Sequence, residues 1–190
     1  MRIIAGIHRG RALANVGKGD PGAHLRPTTD RVRESLFNML AGGRFGDPFE
    51  EAHVLDLFAG TGALGLEALS RGAASAVFVD DGRKALSLIR ENIKMLRCET
   101  ARVIARDATR LPPCDGDRAT LVFLDPPYGK GLGAKALAAA VAGAWLADGA
   151  LIVWEENTPQ LAPEGFTRLE ARRYGDTHVT VLQFGEMSES

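Results

Sequence analysis

From about residue 52 onward, short apolar runs alternate with longer stretches in which apolar positions recur every three or four residues. The runs at 53–58 (HVLDLF), 75–80 (SAVFVD), 101–105 (ARVIA), 119–124 (ATLVFL) and 149–154 (GALIVW) are too short for helices, and the pattern predicts strands. Helical spacing occupies 62–71, 83–96 and 133–146 between them. Strands that alternate with helices require a mostly parallel sheet covered on both faces, a doubly wound α/β domain. The tail follows another rhythm: in "FTRLEARRYGDTHVTVLQF" two strand-like runs meet at Gly175 and Asp176, which predicts a terminal antiparallel hairpin.

The first forty residues differ again. Residues 2–14 alternate apolar and basic positions about a glycine-containing centre, a hairpin pattern, and 15–25 read as a polar, glycine-rich loop. In "RPTTDRVRESLFNML" a Thr/Asp cap precedes Val32, Leu36, Phe37 and Leu40 at helical spacing, predicting a capped amphipathic helix. The expected organisation is a hairpin, loop and helix extension over 1–43 and an α/β domain over 44–190.

Composition narrows the function classes. With 45% hydrophobic and 25% charged residues the chain can bury a core, which excludes disordered and fibrous classes. Its apolar runs fall short of the roughly 18 residues needed to span a bilayer. His and Arg interrupt the N-terminal "MRIIAGIHRGRAL" before any signal-like core develops. A cytoplasmic protein with no membrane partner is expected. Cys98 and Cys114 have no CxxC spacing and His8, His24, His53 and His178 are scattered, so neither a disulfide framework nor a metal site is expected. The net charge of −1 argues against a uniformly basic nucleic-acid binder, yet residues 1–40 hold seven Arg or Lys against three acids. A local basic face is the consequence.

The candidate chemistry begins at "VLDLFAGTGALGLEAL". Gly60, Gly62 and Gly65 satisfy G-x-G-x-x-G between a predicted strand and a predicted helix. Asp80 ends the next strand, where a carboxylate can accept hydrogen bonds from ribose hydroxyls. Glycine loop and acid together imply an adenosine-type ligand. Asp56, four residues before the first glycine, would repel a pyrophosphate but attract the cationic amino group of a methionine moiety, favouring S-adenosylmethionine over NAD. Asp107, after the third strand, offers an acceptor for an adenine amino group. The plainer alternative is that these acids are helix caps or solvated loop residues.

Across the same rim, the fourth strand ends in "LDPPYGKG". The amino group of a purine is a poor nucleophile because its lone pair is delocalised into the ring. Asp125 and the carbonyl of Pro126 could accept its two N–H groups. Pro126 and Pro127 stiffen the corner, and Tyr128 could stack on the base. In isolation such a corner also serves as a strand terminator.

These two stretches resemble class I S-adenosylmethionine-dependent amino methyltransferases. The N-terminal "RIIAGIHRGRAL", "LRPTTDRVRESLFNML" and the ending "YGDTHVTVLQF" resemble, more narrowly, the RsmD family of 16S ribosomal RNA guanine-N2 methyltransferases. The resemblance implies a Rossmann-like sheet of seven strands with a reversed final strand, and methylation of one guanine, number 966, in 16S ribosomal RNA of the small subunit or its assembly intermediate. By motif it implies cofactor roles for Asp56, Phe58, Gly60, Thr61 and Gly62, for Asp80 at ribose, and for Asp107 and Ala108 at adenine. Asp125, Pro126, Pro127 and Tyr128 correspond to the base clamp. The family usually carries Glu where this chain has Asp80, which leaves ribose binding open between Asp80 and Asp81. The loop "VGKGDPGAH" looks longer than usual.

Beside this rim, Arg2, Arg9, Arg11, Arg26, Arg31 and Arg33 are the candidates for phosphate contact, which supplies affinity and register without reading sequence. A monomer is expected. Three rival readings stand: a DNA amino methyltransferase, which shares the D-P-P-Y corner but for which the chain has no separate target-recognition domain; an NAD-dependent oxidoreductase; and a non-catalytic RNA-binding assembly factor.

Overall fold

The computed structural model describes residues 1–15 and 29–185. After helix α1 (Asp30–Leu40) come β1 (His53–Leu57), α2 (Ala63–Ser70), β2 (Ser75–Asp80), α3 (Arg83–Leu96), β3 (Ala101–Ala105), β4 (Ala119–Leu124), α4 (Leu132–Ala142), β5 (Leu146–Glu156), β6 (Phe166–Tyr174) and β7 (Thr177–Phe184). The strands form one seven-stranded sheet in the order β3-β2-β1-β4-β5-β7-β6. Strands β1 to β5 pair in parallel and β7 pairs antiparallel with both β5 and β6. This is the expected Rossmann-like α/β architecture with its reversed strand.

The parallel strands are apolar on both faces because each face has its own core. On one side Val54, Phe78, Leu121, Phe123 and Val153 pack with Leu36, Phe37 and Leu40 of α1 and with Leu64, Leu66 and Ile89 of α2 and α3. On the other, Leu55, Val122, Leu124 and Ile152 pack with Ala136, Leu137 and Ala140 of α4 and with Trp145. The register positions the site. Val79, Leu57, Leu124 and Trp154 are level across four strands. One residue further on come Asp80, Asp125 and Glu155 at the ends of their own strands, while Phe58 leaves the sheet.

Some boundaries differ from the sequence pattern. The first strand stops at Leu57 because Phe58 turns into the left-handed region (φ 57°). The helix expected over 133–146 ends at Ala142: Gly143 caps it, Ala144 is left-handed (φ 56°), and Trp145 turns into the core with its Nε1 donating to the Pro112 carbonyl at 2.7 Å. Leu146 already pairs with Ala119, so β5 begins earlier than expected, and a bulge separates that pair from Leu121 and Leu151. Helix α1 begins at Asp30, where Thr29 caps it by accepting from the Val32 N–H at 3.3 Å. The hairpin over 2–14 is closed by a single bridge, Arg2 to Ala12, rather than by a long ladder.

This N-terminal arm is held by polar side chains of the helices below it. Glu67 accepts from the N–H groups of Ile4 (2.8 Å) and Ala5 (3.0 Å), and its carboxylate also pairs with Arg71. The Ser70 carbonyl accepts from Ile7 at 2.8 Å. Gly6 must lack a side chain here, since a Cβ would stand 1.7 Å from that carbonyl oxygen. Asn92 of α3 bonds both the N–H and the carbonyl of Ala14 and donates to the Thr61 carbonyl at 2.9 Å, tying the arm to the glycine loop. Among the described residues no helix is long and apolar enough to cross a membrane, and no cluster of His, Cys, Asp or Glu is arranged to hold a metal ion.

Candidate active site

The glycine loop is built by a sharp turn out of β1. Phe58 is left-handed without being glycine, a costly conformation of the kind found where a loop must be aimed. Gly62 starts α2 at φ 78°, a conformation that glycine adopts without steric penalty. Gly65 has a different reason: a Cβ there would lie 2.5 Å from the Phe78 ring and 3.1 Å from the Asp56 carboxylate, so its absence lets α2 settle against the sheet.

Asp56 is only 1% exposed, and one of its oxygens accepts the Gly65 N–H at 3.0 Å. Burial pushes its carboxyl well above the usual range, the Gly65 bond opposes that rise, and the neighbouring Asp125 and Asp80 add to it. Such a group is poised to meet a cation. Asp80 accepts the N–H of Gly60 at 2.9 Å and of Gly82 at 2.8 Å, bracing the two loops at the rim. Burial raises its pKa while those two bonds resist the rise. Asp81 is exposed. A carboxylate has lone pairs for further donors after two such bonds, so Asp80 can brace the loop and still face a ligand.

Asp107 closes a local turn, accepting the N–H and the hydroxyl of Thr109 at 2.8 Å each. These bonds hold its carboxyl below the usual range. Ala108 is buried against the α4-side core. Thr61 lies 3.5 Å, Oγ1 to Sδ, from Met1 of the arm.

The D-P-P-Y corner adjoins this loop directly. The Asp125 N–H donates to the Leu57 carbonyl at 3.4 Å, joining the first residue of the corner to the last residue of β1. Pro126 is buried, Pro127 exposed, and Tyr128 half-buried with its hydroxyl 3.3 Å from Thr177 Oγ1 on β7. Glu156 receives the N–H groups of Gly129 at 3.1 Å and Asn157 at 3.0 Å, fixing the turn that follows the tyrosine. The structure thus brings Asp56, Phe58, Gly60, Thr61, Gly62, Asp80 and the D-P-P-Y corner to the carboxyl ends of adjacent strands, where open α/β sheets bind ligands.

Two acids at the rim carry no motif and escape a reading of sequence alone. Glu155 and Glu156 end β5, and both are buried. The available signal was the one that exposed Asp125: charge at the end of an apolar strand, here "LIVWEEN". Glu67 is similarly legible afterwards as one acid inside the apolar helix "ALGLEALS".

The candidate phosphate contacts divide. Arg2, Arg9, Arg11 and Arg31 are exposed, and Arg2 and Arg9 line a cleft of about 210 Å³ with Asp30 and Glu34. Arg26 lies outside the described residues, as do residues 16–25 of the expected loop. Arg33 departs from expectation: it is fully buried, and its Nη2 donates to the Arg2 carbonyl and to Asp30. It supports the arm from below and is not part of a phosphate-facing surface.

Comparison with known proteins places the chain in a family. The family model described as conserved hypothetical protein 95 matches residues 1–183. The ribosomal RNA small subunit methyltransferase D of Escherichia coli K12 is 42% identical over 163 residues, covering 86% of this chain and 78% of that protein. Its namesake in Haemophilus influenzae is 36% identical over 182 residues, covering 92% and 89%. The solved structure of Escherichia coli yhhF, 36% identical, superimposes with a TM-score of 0.79 over 97% of this chain and 98% of that one. Matched over nearly its whole length by the family model and by relatives well above 30% identity, the chain belongs to the RsmD family of methyltransferases.

Proposed function

We propose that the protein transfers a methyl group from S-adenosylmethionine to N2 of a guanine in 16S ribosomal RNA, guanine 966 by family resemblance, with the small ribosomal subunit or its assembly intermediate as substrate. The observation that supports this reading most is the contact between Asp125 N–H and the Leu57 carbonyl, which joins the start of the D-P-P-Y corner to the strand end from which the glycine loop departs.

The residues fit the cofactor they would hold. A buried acid, Asp56, suits the ammonium of the methionine moiety, Asp80 suits the ribose hydroxyls, and Asp107 with Ala108 forms the adenine end. Phe58, Gly60, Thr61 and Gly62 form the turn between them. When bound, S-adenosylmethionine supplies an electrophilic methyl group. The chain's own contribution is placement: Asp125 and the Pro126 carbonyl accept the two N–H groups of the guanine amino group, and Tyr128 covers the base. Held in this way the nitrogen lone pair points along the line of transfer, and orientation of this kind provides a large part of rate enhancement in such reactions.

Residues 1–43 are the RNA-contacting part and 44–190 the methyltransferase domain in this reading. Arg2, Arg9, Arg11 and Arg31 face phosphates, with Arg26 a further candidate. The test is transfer of labelled methyl to small subunits from cells lacking the protein, with the product mapped by mass spectrometry. Label at guanine N2 of 16S RNA is the expected result, whereas label confined to duplex DNA, or none with any RNA, refutes the proposal.

A further inference from the structure

Asp125 and the Pro126 carbonyl recognise an amino group, and adenine, cytosine and guanine all have one. The D-P-P-Y corner therefore cannot by itself choose the base. A residue beside it must read the neighbouring ring position, and the β4–β5 register supplies one. Leu124 is level with Trp154, so Glu155 stands next to Asp125, and it shares a sheet face with Val153 and Val179 of the core under α1.

Glu155 is 1% exposed, and its Oε1 has no hydrogen-bond partner. A buried acceptor in that condition is rare in folded proteins and calls for an explanation. Burial, and then the charges of Asp125 and Asp56, push its carboxyl well above the usual range, so the neutral acid is favoured. Among the described residues these acids do not form a group able to hold a metal ion. The fitting complement is an organic N–H donor located beside an amino group.

Guanine has that edge. Its ring N1–H lies next to the 2-amino group, whereas adenine and cytosine place a bare acceptor nitrogen next to theirs. We propose that Glu155 is a specificity-determining residue whose carboxyl oxygen accepts the ring N1–H of the target guanine while Asp125 holds the adjacent amino group. The inference rests on the reading of the site as a guanine-N2 methyltransferase. In its neutral form the same carboxyl also presents an O–H to guanine O6, a pairing that a glutamine amide reproduces and a leucine does not.

The experiment uses the full chain and small subunits reconstituted with RNA bearing either guanine or 2-aminopurine at the target position. 2-Aminopurine keeps the amino group and lacks both N1–H and O6, the two groups that the Glu155 carboxyl would meet. Wild-type protein is expected to favour guanine about 100-fold, toward the upper end of what one buried acceptor left without its donor costs. Glu155→Leu is expected to lower transfer to guanine by a similar factor and to bring the two substrates close to parity. Glu155→Gln should preserve the preference, and both variants should bind S-adenosylhomocysteine like wild type by calorimetry.

Equal wild-type transfer to both bases overturns the proposal without any variant. So does a Glu155→Leu protein that keeps the guanine preference; this ratio is taken within one preparation and is insensitive to the folded fraction. Loss of S-adenosylhomocysteine binding in step with transfer would reassign Glu155 to the cofactor. Absence of wild-type transfer to guanine-bearing subunits fells the functional reading itself, while normal transfer with the wrong ratio fells only the role of Glu155.

Discussion

The glycine loop and the D-P-P-Y corner meet on one rim, but their acids are treated differently. In the loop half each carboxylate is met by local N–H groups: Asp56 by Gly65, Asp80 by Gly60 and Gly82, Asp107 by Thr109. In the corner half Glu155 is just as buried, stands beside Asp125, and has an oxygen with no donor. Glu156 next to it follows the loop's pattern, accepting from Gly129 and Asn157, so the difference between the halves rests on Glu155 alone. Preorganised groups at one wall and, at Glu155, an acceptor without its donor at the other suit an enzyme that holds a cofactor while it selects a base.

The comparison breaks most sharply at Asp125. Asp125→Ala removes the acceptor for the amino group and leaves the loop intact, so methyl transfer should fall about 1000-fold or more while S-adenosylhomocysteine affinity stays within a few-fold of wild type. Single-turnover transfer with labelled cofactor and calorimetry separate the two effects. Unchanged transfer would remove the corner from the chemistry.

Asp56→Asn should give the opposite pattern. Loss of the anionic partner for an ammonium in a buried site should weaken cofactor binding about 100-fold, with RNA affinity unaffected. It should also change the pH dependence of stability. Asp56 and Glu155 both have folded-state pKa values raised above the ordinary 3.8 and 4.5. Their contribution to stability is therefore complete below the ordinary carboxylate range and is lost as pH rises through the elevated values. The ligand-free protein should melt at progressively lower temperature across that window, and Asp56→Asn should flatten the profile. A wild-type profile that rises there, and is unchanged in Asp56→Asn, would mean that these two buried carboxyls do not govern the pH dependence.

How much of this was legible in the sequence depends on whether a residue's role is local or set by register. The glycine loop and the proline corner are local: turn chemistry and strand ends mark Gly60, Gly62 and Asp125 in the chain itself. Strand alternation gave the sheet, since apolar runs of five or six residues leave few alternatives. Glu155 has no such mark, because its place in the proposal comes from the register that sets Leu124 level with Trp154, across two strands separated in sequence by α4. Arg33 misled by its charge, although its position was legible: residues 33, 36, 37 and 40 share one helix face, so the arginine stands within the apolar stripe, and there the Arg2 carbonyl of the arm takes its guanidinium. The early end of α4 was hidden, as its helical spacing continues through Trp145 while the backbone turns at Ala144.

Gly65 offers a smaller effect on the loop half. A methyl group there would press on the Phe78 ring and stand close to the Asp56 carboxylate. Gly65→Ala should therefore cost about 1–3 kcal/mol, the range for overpacking a filled core. Because the strain falls on the contact between α2 and the sheet, the loss should appear in thermal melting and in cofactor affinity and spare the choice of base at the corner. A stability equal to wild type would show that Phe78 yields without cost.

The smallest expected effect lies on the arm, where exposed and buried arginines make contrasting forecasts. Arg9 and Arg11 are exposed beside the bridge between Arg2 and Ala12, so each should contribute a phosphate contact of modest strength. Replacing both with alanine should weaken binding to ribosomal RNA about 3- to 10-fold and reduce the slope of log affinity against log salt by about one per arginine, whatever the RNA sequence. Arg33→Met, by contrast, should leave the salt slope unchanged, because a guanidinium enclosed by the Arg2 carbonyl and Asp30 releases no counterions on RNA binding. Its effect should appear as altered thermal stability and a looser arm. Filter binding of the two proteins across a salt series decides the matter: a slope that falls in Arg33→Met would bring that side chain out to the RNA, and one that stays constant in the Arg9 and Arg11 variant would move the phosphate-contacting surface off the hairpin.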